Sequence, residues 1–143
     1  MKMNQKVTSP CTCLNMRRAS NAITDMYDTY LKPSGLSISQ FSILKHISLM
    51  APVSVSEVSA VMRLDRTTLV RNLRPLEERG LIQDIAEKGT RNRQLALTDK
   101  GKESYQQAEM LWQQAQMAMD NFLGEEEVGK LTELLSKIEA FKP

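Results

Sequence analysis

The sequence has few of the residues on which catalysis, metal binding and extracellular stability depend. Its 143 residues include one histidine, two cysteines and 5% aromatic residues. A lone histidine excludes a multi-histidine metal site, and two cysteines are too few for the disulfide framework of a small secreted domain. We interpret His46 as an ordinary, partly buried helix residue. No nucleophile–base pair, glycine-rich phosphate loop or pair of carboxylates stands out, so we expect neither an enzyme nor a bound cofactor or metal.

Long apolar runs are also missing. No stretch approaches the ~20 apolar residues that cross a bilayer, and the N-terminal segment lacks the apolar core of a signal peptide. We therefore expect a cytoplasmic protein without a membrane segment. The chain does contain 41% hydrophobic and 25% charged residues, with nine methionines. This composition is typical of one globular domain, or one intertwined protomer, with a mostly aliphatic core.

Charge is unevenly distributed along a chain whose formal net charge is only +2. Residues 63–102 carry ten basic and six acidic residues, a net charge of +4. Residues 103–143 carry three lysines and eight acids, a net charge of −5. This asymmetry indicates that the central segment meets an anion and that the C-terminal segment does not.

Helices with heptad spacing are predicted at both ends of the chain. Apolar residues at alternating spacings of three and four indicate helices over 13–31 and 99–122, and a further helix follows Gly124. The seam residues are Met16, Ala19, Ile23, Met26 and Tyr30 in the first helix, Tyr105, Ala108, Trp112, Ala115, Met119 and Phe122 in the second, and Val128, Leu131, Leu135 and Ile138, a predicted buried row, in the third. Because such helices have no globular core of their own, we expect them to bury these seams against a second copy of the chain, in a C2 dimer.

The middle of the chain predicts a helix-turn-helix. A helix over 39–50, capped by Ser37 or Ser39, precedes the sequence SVSE, which is a capping box formed by Ser54 and Glu57. The residues expected to face the core are Phe41, Leu44 and Ile47 in that helix, and Val55, Val58 and Val61 in a short helix over 55–62. A short helix, a tight turn and a longer helix make the helix-turn-helix arrangement.

The longer helix, predicted over 66–79 with Asp65 as its cap and Gly80 as its end, has two different faces. Leucines form the inner stripe and hydrogen-bonding side chains form the outer face. The stripe is Leu69, Leu73 and Leu76, and the outer face and its flanks carry Arg66, Thr67, Thr68, Arg71, Asn72, Arg74 and Glu78. Arginine, asparagine and threonine hydrogen-bond base edges and phosphates, and a DNA major groove admits one helix. The alternative interpretation is a solvated, solubilising surface.

After Gly80 the apolar period changes to that of strands. Residues 81–86 and 94–98 are short apolar–polar runs, and the loop over 87–93 contains a glycine and three cations, Lys88, Arg91 and Arg93. This pattern predicts a β-hairpin with a basic tip. A helix-turn-helix followed by such a hairpin is a winged helix, so we expect a mainly α fold with a small β-hairpin wing. Arg91 and Arg93 are then placed to enter the narrow minor groove beside the reading helix.

Two segments carry a family resemblance: LDRTTLVRNLRPLEERGLI (64–82) and RQLALTDKG (93–101). They resemble the MarR (multiple antibiotic resistance regulator) family of bacterial transcription regulators, and the similarity extends from about residue 11 to 142. The resemblance implies a homodimer that binds double-stranded DNA at a pseudo-palindromic site. Its implied domains are a helical dimerisation region, 1–36 with 99–143, and a winged helix-turn-helix DNA-binding domain, 37–98.

The same resemblance assigns roles to individual residues. It places Arg66, Thr67, Thr68, Arg71 and Asn72 on the reading helix and Arg91 at the wing tip. The sequence departs from the family at Gly89, where an aspartate usually braces the wing arginine. Arg91 is then less preorganised, or Glu87 braces it instead.

The resemblance also implies a regulator, more often a repressor, that responds to a small aromatic or phenolic effector bound between the dimerisation helices and the winged helix. The candidate lining residues are Arg17, Met26, Tyr30, Phe41, His46 and Trp112. Two alternatives stay open. Cys11 and Cys13 could serve a thiol-based redox sensor, although two thiols near a loose terminus is the plainer interpretation. The protein could also be an interaction module that docks a protein instead of DNA.

Overall fold

The computed structural model describes residues 6–143, so the first five residues of the predicted dimerisation region lie outside the described residues. Within this range the elements follow the predicted order, and the mainly α fold with a small β-hairpin wing is confirmed. They are α1 (Thr12–Leu31), a 3-10 turn (Lys32–Ser34), α2 (Ile38–Met50), α3 (Val55–Met62), α4 (Arg66–Glu78), β1 (Ile82–Asp84), β2 (Leu95–Leu97), α5 (Asp99–Leu123) and α6 (Glu125–Ala140). Over residues 6–143, none of the helices has the length and apolar character that crossing a membrane requires.

Side-chain caps determine where the central helices begin. Ser37, rather than Ser39, caps α2 and forms a capping box with Gln40. Ser54 and Glu57 form the predicted box at α3, where each side chain accepts the other residue's amide at 3.1 and 3.2 Å. Each box satisfies two backbone N–H groups that the first helical turn leaves unpaired. These local signals explain why the predicted helix starts agree with the structure.

The end of α4 and the start of α5 are joined tightly. The chain leaves α4 after Glu78 and turns at Gly80, whose φ of 71° is a left-handed conformation that glycine adopts without strain. The Thr98 hydroxyl caps α5 by accepting the Gly101 amide at 3.0 Å, and it donates to the Gly80 carbonyl at 2.6 Å. Gly101 lies so close to Leu81 that a Cβ atom there would collide with the Leu81 carbonyl.

The hydrophobic core lies inside the winged helix, where α2, α3, α4 and the sheet meet the first half of α5. The strands pair antiparallel, with Ile82 opposite Leu97 and Asp84 opposite Leu95, and Val53 adds a bridge to Leu95. The core residues are Leu31, Leu36, Phe41, Ile43, Leu44, Ile47, Val53, Val55, Val58, Leu69, Leu73, Leu76, Leu81, Ile82, Leu95, Leu97 and Ala108. The predicted inner faces of α2 and α4 are therefore confirmed.

The prediction that Val61 is buried is wrong. Val61 is 53% exposed, whereas Val55 and Val58 belong to the core. At about 100° per residue Val61 points about 120° away from Val55, and Met62 continues the inner stripe instead. Val61 faces an open crevice between the end of α3 and the end of α6.

The helices at the two ends leave most of their predicted seams open within one chain, apart from Ala108 and Ala115 of α5, which are buried. No residue of α6 is buried, so its own chain does not cover the predicted row in that helix. Leu131 and Leu135 are each 42% exposed, and Phe122 at the end of α5 is 68% exposed. In α1 the buried residues are Tyr27 and Leu31, which do not belong to the predicted seam. The physical reason is that a single chain brings only its own neighbouring helices to these surfaces.

Candidate nucleic-acid interface

The polar outer face of α4 begins at a cap that makes two hydrogen bonds. The Asp65 carboxylate accepts the Thr68 amide at 2.8 Å and the Thr68 hydroxyl at 2.8 Å. These two hydrogen bonds hold the pKa of Asp65 below its ordinary value of 3.8, and the charge of Arg71 lowers that pKa further. The Thr68 hydroxyl therefore donates its proton within the cap, which fixes the orientation of the first turn.

The polar side chains predicted for α4 lie opposite a fully buried stripe. Leu69, Leu73 and Leu76 are each at most 1% exposed. The outer residues are exposed at Arg66, Thr67, Arg71 and Arg74, and half-buried at Thr68 and Asn72. Because the buried stripe anchors the helix, the outer face is presented at a fixed angle.

The structure adds contacts and neighbouring residues to this face that the sequence interpretation missed. Arg66 donates to the Ser56 hydroxyl at 2.9 Å, which ties the start of α4 to α3. Val70 is 43% exposed beside Arg71. Arg63 lies in the turn between α3 and α4, where its φ of 54° is left-handed, and it pairs with Glu139 of α6 at 2.5 Å. The exposure of Val70 follows from helical spacing, whereas the Arg63–Glu139 pair links distant elements and leaves no local sequence signal.

The wing is a long loop on a short stem. A turn closed by the Thr90 amide and the Glu87 carbonyl at 3.0 Å leads through Gly89, which has a φ of 86°. Lys88 and Arg91 are exposed. Within residues 6–143, no carboxylate lies within ion-pair distance of Arg91, so the structure contains no Glu87 brace.

Arg93 occupies a different environment from Lys88 and Arg91. Its guanidinium forms an ion pair with Glu77 of α4, and its Nε lies 3.8 Å from Asp84 Oδ2 at the end of β1. Arg93 is two residues before Leu95, the cross-strand partner of Asp84, so the register makes Arg93 a diagonal neighbour of that acid. The structure thus brings this predicted DNA contact to two carboxylates.

Of the predicted effector-lining residues, Phe41 and Trp112 lie in contact with each other. Phe41 is 1% exposed and stacks between Tyr105 and Trp112, at centroid distances of 5.6 and 6.0 Å. Lys45 Nζ lies 4.6 Å from the centre of the Trp112 ring. This aromatic cluster joins α2 to α5, and burial raises the pKa of the Tyr105 hydroxyl.

The other effector candidates lie apart from one another. His46 lines the crevice near Arg63, and its Nδ1 lies 2.7 Å from the Ser42 carbonyl. Arg17 lines a groove between the start of α1 and the end of α6. Met26 and Tyr30 lie on the predicted α1 seam, half-buried and exposed respectively.

The two cysteines lie at the start of α1. Cys11 occupies the cap position and Cys13 the first turn, and both thiols are exposed and free. The Asn15 side chain bonds both backbone groups of Ser9, at 2.9 and 2.7 Å, and so holds the preceding segment against the helix. Across residues 6–143, no three His, Cys, Asp or Glu side chains cluster as a metal site would require.

Comparison with known proteins agrees with this geometry. A family model described as "MarR family" matches residues 34–91. The transcriptional regulator MosR of M. tuberculosis, solved in complex with DNA, is 35% identical, with a TM-score of 0.77 over 91% of this chain and 97% of that one. The regulator SarZ of Staphylococcus saprophyticus is 32% identical over 92 residues, which cover 64% of this chain and 63% of that protein.

A more distant structure shares the fold. A mutant MarR from E. coli, in complex with operator DNA, is 24% identical and has a TM-score of 0.77 over 86% of this chain and 89% of that one. The MosR match extends beyond the winged helix into the helices at both ends, because it covers nine-tenths of the chain. The chain therefore belongs to the MarR family of DNA-binding transcriptional regulators.

Proposed function

We propose that the protein is a homodimeric repressor that binds a pseudo-palindromic operator, with one α4 in each of two successive major grooves and each wing in the adjoining minor groove. The observation that carries the proposal is the exposed face of α4, with three arginines opposite a fully buried leucine stripe. A face of this composition matches base edges and phosphates in a groove about one helix wide. The residues proposed to contact DNA are Arg66, Thr67, Thr68, Arg71, Asn72, Arg74, Lys88 and Arg91.

The exposed apolar surfaces of the end helices support the proposed dimer. Ile23 and Tyr30 of α1, Phe122 of α5 and the leucines of α6 leave apolar surface exposed in one chain. Burial of such surface stabilises association by about 25 cal/mol per Å². We assign residues 1–36 and 99–143 to this dimerisation region and 37–98 to DNA binding. The two α4 helices of a dimer would then lie about 34 Å apart, one turn of DNA.

Selection from random DNA duplexes, followed by affinity measurements at several salt concentrations, tests this function. A dimer that contacts about eight phosphates predicts a slope near −7 for log affinity against log salt. Recovery of an inverted repeat with half-sites about ten base pairs apart would support paired reading helices. A slope close to zero, with no enriched sequence, would contradict DNA recognition and favour a protein partner.

A small aromatic effector is the proposed regulator of DNA binding. The stack of Phe41, Tyr105 and Trp112 joins α2 to α5, and its half-buried members, Tyr105 and Trp112, offer apolar surface next to the Lys45 cation. A ligand changes DNA affinity only if it binds one arrangement of the two winged helices better than another. Repeating the duplex selection with aromatic carboxylates and phenols identifies such a ligand by a change in the bound fraction.

Oxidant sensing is a second candidate, favoured by two exposed free thiols at the start of a proposed dimerisation helix. A peroxide would oxidise one thiolate to a sulfenic acid. The second thiol, or a thiol of the partner subunit, would then condense with this sulfenic acid to form a disulfide and release water. Mass spectrometry after mild peroxide treatment, with DNA affinity measured in parallel, tests this candidate. Unmodified cysteines with unchanged affinity would contradict it.

A further inference from the structure

We propose that Arg93 is a positioning residue that clamps the wing to the reading helix through Glu77 and Asp84, and thereby sets the distance between α4 and the wing tip. We call these three residues the wing clamp. The inference rests on the proposed function, because it concerns how two DNA-contacting elements are held relative to one another. It replaces the sequence-based assignment of Arg93 to the minor groove.

The clamp connects the last turn of α4 to the stem of the wing at the surface, beside the core that the two elements share. Glu77 belongs to the last turn of α4, whereas Arg93 lies just before β2, sixteen residues later. Their side chains are 34% and 40% exposed, so the pair is partly shielded from water. A partly shielded arginine with a carboxylate partner is held more firmly than a solvated surface pair. The pair therefore restrains the stem of the wing against the helix.

Asp84 makes the clamp part of the hairpin itself. Its Oδ1 accepts the amides of Ala86 at 2.9 Å and Gln94 at 3.0 Å, while its Oδ2 faces Arg93. These two backbone hydrogen bonds hold the pKa of Asp84 below its ordinary value. One carboxylate thus closes both sides of the stem and also orients the arginine.

The wing needs a brace at its stem because it has none at its tip. Each strand contains only three residues, and a two-stranded hairpin of that size is marginally stable by itself. No carboxylate within residues 6–143 pairs with Arg91 near the tip of the wing. The clamp supplies a restraint farther down the hairpin, between the stem and α4.

Charge also separates a clamp from a DNA contact. Arg93 and its two acids carry a combined charge of −1, so the cluster offers no net attraction to phosphate. If Arg93 contacts DNA, removal of the Glu77 carboxylate would leave the Arg93 charge less neutralised and would strengthen DNA binding. If Arg93 clamps the wing, the same removal would release the wing from α4 and would weaken DNA binding. The two models therefore predict opposite signs for the same substitution.

The experiment measures operator affinity of the full-length chain with Glu77→Gln, Arg93→Met and the double variant. We expect each single variant to weaken binding roughly tenfold, and the double variant to be no weaker than either single one, because coupled residues are non-additive. Glu78→Gln is the matched control, since it removes a neighbouring acid of α4 that has no ion pair in residues 6–143. It should bind as tightly as the unaltered protein, or more tightly.

Two further readouts separate positioning from a general loss of structure. Amide exchange over residues 85–94 should accelerate in Glu77→Gln and not in Glu78→Gln, while exchange in α2 stays unchanged. The salt slope of Arg93→Met should match that of the unaltered protein, whereas a lost phosphate contact reduces its magnitude by about 0.9.

Specific outcomes overturn the clamp. Unchanged or tighter binding by Glu77→Gln does so, as does a reduced salt slope for Arg93→Met, which would return Arg93 to the DNA. Arg71→Ala, measured in the same assay, keeps the two proposals distinguishable. If Arg71→Ala weakens operator binding and Glu77→Gln does not, the clamp is overturned and the proposed function stands. If the unaltered protein binds no operator, the proposed function is overturned, and amide exchange over residues 85–94 still tests the clamp.

Discussion

The winged helix and the end helices differ in how far one chain completes them. From Leu31 to Ala108 the chain buries its own core, and α2, α3 and α4 each begin at a side-chain cap. In α6, by contrast, no residue is buried, and the apolar residues of the predicted row remain at least partly open to solvent. The comparison teaches that one part of the chain covers its own apolar residues, whereas the other leaves an apolar surface that the proposed dimer would cover.

The largest expected effect tests the core of the winged helix, which the first half of α5 completes. Phe41→Ala removes a ring that is 1% exposed and stacks on both Tyr105 and Trp112. We expect the free energy of unfolding to fall by about 3–5 kcal/mol, because the cavity adds to the lost burial. Urea denaturation followed by circular dichroism measures this change. A loss below about 1 kcal/mol would mean that the aromatic cluster is not part of the core.

The next effect tests whether a second chain covers the exposed apolar row of α6. Leu135→Glu places a charge on the exposed row of α6 and should raise the dimer dissociation constant roughly a hundredfold, about 2.8 kcal/mol, while the winged helix stays folded. Ser136→Glu adds the same charge about 100° around the helix from Leu135, outside the apolar row, and is the control. Analytical ultracentrifugation measures both. Equal dissociation constants for the two variants would refute the assigned surface, and a stable unaltered monomer at micromolar concentration would refute dimerisation itself.

A smaller effect distinguishes reading from folding. Arg71→Ala should weaken binding to the selected operator by about 1–3 kcal/mol and leave the dimer intact, since Arg71 is exposed opposite the buried stripe. Fluorescence anisotropy with labelled operator, beside sedimentation of the same sample, measures both properties. Identical affinities of the variant and the unaltered protein would show that Arg71 reads no base.

The smallest effect concerns pH. The lowered pKa of Asp65 means that its cap stabilises the fold fully above pH 3.8, and that this contribution disappears as the pH falls through the lower value of the folded state. Asp65→Asn keeps a capping acceptor without a titrating group. Its denaturation midpoint should therefore fall less between about pH 5 and pH 2 than that of the unaltered protein. Parallel midpoints across this range would contradict the assignment.

Sequence reasoning succeeded where the determining interactions are local. Ser54, Glu57 and Asp65 cap the helices they were predicted to cap, because each acts within three or four residues of itself. The family assignment is also confirmed, and with it the expectation of a non-enzymatic protein, since MarR-family transcriptional regulators are DNA-binding proteins without catalytic activity.

Interactions between distant elements could not be predicted. The environment of Arg93 depends on the hairpin register and on the last turn of α4, neither of which the sequence determines to within one residue. The exposure of Val61 also depends on packing between elements, because it is set by which side of a two-turn helix meets the core. The row of α6 has the apolar pattern of a buried surface, but the pattern does not distinguish burial by the same chain from burial by a second chain. The DNA-contacting and effector-lining residues stay predictions.

The joint at Thr98 and Gly101 has a consequence for how the two regions move. Hydrogen bonds and a close backbone contact hold the turn after α4 directly against the first residues of α5. A tilt of α5 would carry Gly80 and Leu81 with it rather than bend an intervening linker. In an assembled pair, the angle between the two longest helices would then determine the inclination of each arginine-bearing helix.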